Sequence, residues 1–153
     1  TFAKAITSGY VPLGGVIVGS AVHGPLAADP DFVLRHGHTY SGHATATAAA
    51  LANLDVIEAD GLLDRAMTVG KRLADGLRSL QADGLVAHVR GEGAVWAVEL
   101  PEGGSAPATR DALLGHGVIV RPLGNALAMC PPLVITDEQV DRTIDGLAAV
   151  LAR

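Results

Sequence analysis

The sequence is poor in cysteine, in lysine and in aromatic residues. A single cysteine among 153 residues rules out an internal disulfide and a cysteine-based zinc site, and it fits a reducing compartment, so we expect a cytoplasmic protein. No apolar run free of charge reaches the roughly 18 residues of a membrane span, and no signal peptide is evident. The 11 basic and 16 acidic residues form no basic cluster, so neither nucleic acid nor a membrane is an expected partner.

Apolar aliphatic residues, in contrast, are abundant. Hydrophobic residues make up 49% of the chain and charged residues 18%, which is typical of a folded domain and not of a disordered segment. The chain begins directly with the apolar pattern Thr1–Ile6, without a starting methionine or a polar leader. We therefore expect that further residues precede Thr1 in the complete protein.

Residues 1–60 are expected to form one structural unit. The β-branched run Val16–Val18 predicts a buried strand. Prolines and glycines scattered through residues 20–43 predict irregular structure. The segment Ala44–Ala59 is apolar on almost every side, which predicts a helix that is buried over most of its surface.

A change of periodicity near residue 85 predicts a second domain. Residues 61–84 carry one apolar stripe at helical spacing, which indicates a connecting helix. Residues 85–153 are expected to be a small α/β domain, whose last helix begins at the capping box of Thr136 and ends at Arg153. Strands are expected at 86–89, 94–100, 118–121 and 126–130, with a short helix at 108–116.

Lys4 is the residue that most clearly suggests chemistry. The other lysine, Lys71, lies on the polar face of the connecting helix, whereas Lys4 lies in an apolar segment just before the turn Thr7-Ser8-Gly9. A desolvated lysine loses its proton more easily and offers a neutral amine for Schiff-base chemistry. From its position alone, a lysine that extends from a strand end into solvent is the alternative.

Four short segments, in order along the chain, carry a recurring pattern. They are Thr1–Gly15, His38–His43, Val89–Gly93, and Val120–Gly124 with its continuation Cys130–Leu133. Together they resemble the class III aminotransferases, which depend on pyridoxal phosphate (PLP), and especially their omega-transaminase branch. The resemblance covers essentially the whole chain. It implies the α/β fold of the fold-type-I PLP-dependent transferases, with the C-terminal part of the large domain at 1–60 and the small domain at 85–153.

The same resemblance implies an activity and roles for three residues. The activity is transfer of an amino group from an amine or omega-amino acid to a keto acid such as pyruvate. Lys4 would form a Schiff base with PLP and then move the proton, with PLP as the electron sink. Thr39 would hydrogen-bond the PLP phosphate across the interface of a homodimer whose active site lies at that interface. Arg121 would bind a substrate carboxylate.

Alternatives remain open for each of these roles. Thr39 could instead stabilise a turn, and Arg121 could form a structural salt bridge. In the family, the aspartate that pairs with the pyridine nitrogen, the residue stacked on the ring and the glycine-rich phosphate loop all precede the lysine. The chain on its own is therefore expected to be incomplete and inactive, and a truncated non-catalytic piece is one competing interpretation. A racemase or decarboxylase of the same fold is another, although Arg121 in Arg-Pro-Leu-Gly favours transamination.

Other candidate sites have weaker support. His36, His38 and His43 match no zinc spacing and have no carboxylate among them, so no metal is expected. The glycines around Glu92 lack the third glycine of a nucleotide-binding loop. Cys130 precedes two prolines and is expected in the core.

Overall fold

The chain folds into two units, Thr1–Asp60 and Gly61–Arg153. The computed structural model describes residues 1–152, so the expected position of Arg153 lies outside the described residues. The helix predicted as a connector belongs to the second unit. Its role in linking two domains of a longer protein stays a prediction, as do the domain assignments themselves.

The first unit begins with two short paired strands around Lys4. Strand β1 (Phe2–Ala3) pairs antiparallel with β2 (Gly14–Gly15), and Phe2 lies opposite Gly15. A Cβ at Gly15 would lie 2.3 Å from the Phe2 ring, so the ring occupies space that only a glycine leaves free. Between the strands, Lys4–Thr7 forms one turn of 3₁₀ helix, which we name the lysine turn.

Two α-helices follow in this unit, and both correct the prediction in part. Helix α1 (Ser20–Ala27) lies where irregular structure was expected, because a proline removes only one backbone hydrogen bond from a helix. The run Val16–Val18, predicted as a buried strand, is 50–83% exposed and joins neither sheet of the described residues. Helix α2 (Ala44–Ala59) has the predicted bounds, but only Ala46 and Ala50 are buried in it. Apolar sequence identified this helix but not its burial, because burial also requires a neighbouring surface.

The second unit is a four-stranded antiparallel sheet covered by helices. The strand order is β3-β4-β6-β5, and no helix within residues 1–152 is long and apolar enough to cross a membrane. The strand predicted at 118–121 begins only at Arg121, because Val118 and Val120 enter the core from an unpaired segment. The elements are α3 (Leu62–Ala82), β3 (His88–Glu92), β4 (Val95–Glu99), α4 (Ala106–Leu114), β5 (Arg121–Leu123), β6 (Ala126–Met129) and α5 (Asp137–Leu151).

The core of this unit lies between the sheet and its helices. The helical stripe predicted for α3 is confirmed at its centre, although Leu63 at its start is exposed. The capping box of Thr136 is present, as predicted. Cys130 is exposed, which corrects the prediction that it lies in the core, because β6 ends one residue before it. The largest fully buried side chains of this unit are Leu73, Leu77, Leu113, Leu127, Leu147, Val69, Val86, Val98 and Val140.

Charged side chains tie α3 to the start of α5. Arg65 Nη2 donates to Asp137 Oδ1 at 2.8 Å. Arg72 donates from Nε and Nη2 to the two carboxylate oxygens of Asp141, at 2.7 and 2.6 Å. The hydrogen bond from Arg72 holds the pKa of the Asp141 carboxyl below its usual value, because it favours the charged form.

Candidate active site

Lys4 stands at the start of the lysine turn in an uncommon backbone conformation. Its φ is +53°, in the left-handed region that residues other than glycine seldom adopt, and Ser8 just after the turn has a φ of +50°. Such strain costs on the order of 1–3 kcal/mol and persists only where the surroundings enforce it. The expectation of a desolvated Lys4 is wrong for this chain. The residue is exposed, because the apolar residues beside it in sequence do not cover it.

Hydrogen bonds on two sides of the lysine turn restrain its backbone. Thr7 is buried, and its hydroxyl donates to the carbonyl of Val11 at 2.6 Å. Asn53 on α2 donates from its amide to the carbonyls of Ala5 at 3.0 Å and Ile6 at 3.2 Å. The residues directly after Lys4 are therefore held both from within the segment and from a helix distant in sequence.

An open cleft of about 810 Å³ lies beside Lys4. One wall comes from the segment that follows the lysine turn, and the other comes from the loop that precedes α2. The lining residues are Lys4, Gly9, Val11, Pro12, Leu13, Gly14, His38, Tyr40, Ser41 and Gly42. The first unit thus brings together one primary amine, an apolar wall and several polar groups.

The chemistry of this set fits PLP. The Lys4 amine can bond to an aldehyde, and the short apolar segment Val11–Leu13 can lie against a pyridine ring. The hydroxyls of Tyr40 and Ser41 and the imidazole of His38 are suitable partners for a phosphate. Ser41 Oγ accepts from the backbone N–H of His38 at 2.9 Å, which leaves the hydroxyl proton available for donation.

Thr39 lies in the loop that forms one wall of the cleft, but it does not itself line the cleft. It is exposed, and its neighbours His38 and Tyr40 are the lining residues. The loop is closed by backbone hydrogen bonds, from Ser41 N to His38 O at 2.9 Å and from His43 N to Tyr40 O at 3.2 Å. An exposed Thr39 is accessible to a group outside this unit, and its binding to a phosphate stays a prediction.

Arg121 lies in the second unit, as the first residue of β5. It pairs in register with Ala128 and is exposed. None of the ion pairs within residues 1–152 involves Arg121, so the alternative of a structural salt bridge finds no support there. Its guanidinium is accessible to a solute, and carboxylate binding stays a prediction.

The three histidines have separate structural settings. The rings of His36 and His38 meet edge to face with centroids 5.8 Å apart. His43 caps α2, because its Nδ1 accepts from the backbone N–H of Ala46 at 3.4 Å. Within the described residues, no group of three or more His, Cys, Asp or Glu is arranged to hold a metal ion.

Sequence reasoning missed three residues that shape this site. Tyr40 and Ser41 line the cleft, and their signal was present, because both lie in the same segment as Thr39. Asn53 gave a weaker signal, a lone amide within a nearly apolar stretch of helix. Its partners are backbone carbonyls far away in sequence, and no local pattern specifies such a pair.

Comparison with known proteins identifies the family. The family model described as aminotransferase class-III matches residues 1–151. The chain belongs to this family. The omega-aminotransferase of Caulobacter vibrioides is 32% identical over 99% of the chain and 36% of its own length. The adenosylmethionine-8-amino-7-oxononanoate aminotransferase of Nitratidesulfovibrio vulgaris is 37% identical over 93% of the chain and 29% of its own length.

Solved structures of transaminases confirm the fold. The (S)-enantioselective omega-transaminase from Thermomicrobium roseum has a TM-score of 0.88 and 41% identity, covering 99% of the chain and 36% of its own length. An amine transaminase from an uncultivated Pseudomonas species, solved in the PLP-bound internal aldimine form, has a TM-score of 0.90 and 36% identity over 99% of the chain. The predicted fold-type-I α/β class is thus confirmed. The chain spans about a third of the length of these relatives.

Proposed function

We propose that the complete protein is a PLP-dependent aminotransferase, which moves an amino group from an amine or omega-amino acid to a keto acid. The observation that carries the proposal is Lys4, which begins a restrained turn beside an open cleft in a chain of the class-III family. A lysine whose only role is to extend into solvent does not require a strained and doubly restrained backbone.

PLP, when bound, supplies an electron-accepting ring that stabilises negative charge at the carbon that carries the amino group. The Lys4 amine would hold the cofactor and, once a substrate amine has replaced it there, would act first as the base and then as the acid that moves one proton during the transfer. Bonding to the cofactor and taking up the proton both need the neutral amine, because an ammonium group has no lone pair. Asn53 donates hydrogen bonds to the carbonyls of the two residues after Lys4, and these bonds keep the backbone there fixed while the Lys4 side chain moves.

Thr39 and Arg121 complete the proposal. Thr39 donates to the PLP phosphate in the site of a neighbouring subunit, which requires a homodimer with its active site at the interface. Arg121 binds the carboxylate of the keto acid with its two-pronged guanidinium. Support comes from the resemblance of their segments and from the exposure of both residues. A cytoplasmic location stays a prediction from the single cysteine.

The names of the relatives indicate a range of substrates for the family. They include a taurine–pyruvate aminotransferase and a diaminobutyrate–2-oxoglutarate transaminase. For this protein we infer a keto acid as the acceptor, with pyruvate and 2-oxoglutarate as the first two to test against a panel of amines and omega-amino acids.

Borohydride reduction followed by peptide mass spectrometry tests the assignment of Lys4. The protein is expressed in full from its gene, saturated with PLP, reduced and digested. We expect a pyridoxyl group on the peptide containing Lys4 and none on Lys71, which is exposed and paired with Asp75 at 2.5 Å. The 153-residue chain on its own is expected to label little. A pyridoxyl group on Lys71 alone, in the full protein, would falsify the assignment.

A further inference from the structure

Asn53 makes the only side-chain hydrogen bonds from α2 to the lysine turn within residues 1–152. Its amide nitrogen lies 3.0 Å from the Ala5 carbonyl and 3.2 Å from the Ile6 carbonyl. These are the two residues that directly follow Lys4. The Asn53 side chain is half-buried. Its bond to the Ile6 carbonyl is partly protected from competition by water, whereas its bond to the Ala5 carbonyl is exposed.

The two bonds act on a backbone in an uncommon conformation. Lys4 has a left-handed φ, and the Ala5 carbonyl also accepts from the backbone N–H of Ser8 at 3.0 Å, which closes the turn. Releasing Asn53 frees the Ile6 carbonyl and leaves the Ala5 carbonyl with the turn bond alone. The buried Thr7 hydroxyl restrains the far end of the turn, because it donates to the Val11 carbonyl.

We propose that Asn53 is a positioning residue for Lys4, which fixes the direction in which the lysine side chain enters the cleft. The inference rests on the proposed function of Lys4. It requires a hydrogen-bond donor at residue 53, because both partners are carbonyl acceptors. A carboxylate of the same shape cannot donate to them and would repel them.

The test uses the protein expressed in full from its gene, with PLP added to the apo form. Stopped-flow absorbance in the visible range gives the rate at which the covalent linkage to Lys4 forms, and borohydride trapping confirms the site. Asn53→Asp keeps the shape of the side chain and removes the donor, and Asn53→Ala removes the side chain without adding charge. The matched control is Gln81→Ala, which removes a comparable amide bond to the carbonyl of Ala87 in the second unit.

We expect the linkage rate to fall about ten- to hundredfold in both Asn53 variants, since a displacement of about 1 Å costs a rate of this order. Steady-state kcat should fall by a similar factor, with KM for the amine changed less than twofold. Gln81→Ala should show wild-type rates. The melting temperatures of the Asn53 variants should stay within a few degrees of that of the control, which separates positioning from unfolding.

Each remaining outcome counts against the inference. Wild-type linkage rates in the Asn53 variants, with normal labelling of Lys4 in the parent, overturn the role of Asn53 and leave the proposed function intact. Loss of folding in both variants makes Asn53 structural and overturns positioning. Absence of Lys4 labelling in the parent protein overturns the proposed function, and the inference falls with it.

Discussion

The two units of the chain bury their apolar residues to very different extents. In the first unit, Ala46 and Ala50 are the buried apolar residues, whereas the second unit has a continuous core of leucine and valine side chains. Large apolar residues of the first unit are exposed instead, among them Ile17 at 83% and Leu51 at 63%. The helices of the first unit are nevertheless more apolar in sequence than those of the second.

This difference suggests that the second unit supplies most of the folding stability, whereas the first unit contains the groups for chemistry. The second unit is held by burial of apolar surface, which contributes about 25 cal/mol per Å². The first unit is held locally by hydrogen bonds around the lysine turn, and it contains Lys4 and the cleft. We therefore expect substitutions in the first unit to change cofactor chemistry with little change in folding, and core substitutions in the second unit to do the reverse.

Replacing Lys4 is the strongest way to sharpen this contrast. Lys4→Ala removes the amine that we propose binds PLP and moves the proton, so turnover by the full protein should fall on the order of 10⁴-fold or more. The fold should survive, because the Lys4 side chain is exposed. Alanine is also strained by the left-handed φ at this position to about the same extent as lysine, so the substitution leaves the backbone strain unchanged. Amine-to-keto-acid turnover and circular dichroism measure the two effects. A Lys71→Ala control should retain activity, and comparable loss in that control would contradict the assignment.

Truncating the core of the second unit should produce the opposite pattern. Leu77 is fully buried on α3, so Leu77→Ala should lower the free energy of unfolding by about 2–5 kcal/mol. Trp96 is the single tryptophan and lies in this core, so its fluorescence during urea unfolding reports on the second unit. In the 153-residue chain, Leu51→Ala should shift the transition little, because Leu51 is exposed in the other unit. Equal shifts for both variants would break the comparison.

Arg121 is the exception to this contrast, because it is a candidate substrate-binding residue in the second unit, where substitutions are otherwise expected to change folding. Loss of its guanidinium in Arg121→Ala should weaken binding of a keto acid by about 2–5 kcal/mol, seen as a raised KM. A simple arylalkyl amine has no carboxylate and should be affected far less. Arg142→Ala, on α5, is the control of equal charge. If both substrate types respond equally, Arg121 is structural.

Thr39 tests whether the loop beside the cleft serves the cofactor. Thr39→Ala should weaken PLP retention in the full protein by about 1–3 kcal/mol, the usual loss for a hydrogen bond to a charged group. Equilibrium dialysis of PLP gives the affinity. Thr47→Ala is a matched control, because the Thr47 hydroxyl bonds to the Ala44 carbonyl within its own helix at 3.0 Å. An affinity like that of the parent protein would remove Thr39 from the proposal.

The smallest expected effect concerns the pH dependence of the second unit. The hydrogen bond from Arg72 lowers the pKa of Asp141 in the folded state, so its stabilising contribution is present above the unfolded pKa of about 3.9. It is lost as the pH falls through the folded pKa. Asp141→Asn should therefore be less stable than the parent near pH 7, and by Trp96 fluorescence the difference should shrink as the pH falls below about 3.9. A constant difference across that range would exclude the linkage.

Much of the second unit could be predicted from the sequence. The helix at 62–82 follows from one apolar stripe, and the start of α5 follows from the capping box of Thr136, because both signals are local. The four segments that resemble the class III family likewise pointed to the family and to Lys4. Local periodicity failed where an element had no partner surface in the chain, as at Val16–Val18 and on most of α2.

The sequence by itself determined the family and the placement of the longer helices, and it led to the proposal that Lys4 carries PLP, because these depend on residue type and short-range spacing. Tertiary structure alone decided the left-handed backbone at Lys4, its exposure, and the cleft formed with the loop before α2. It alone also decided the hydrogen bonds of Asn53 to the lysine turn. These features join groups far apart in the chain, and no local pattern of side chains specifies which distant carbonyl an amide will meet.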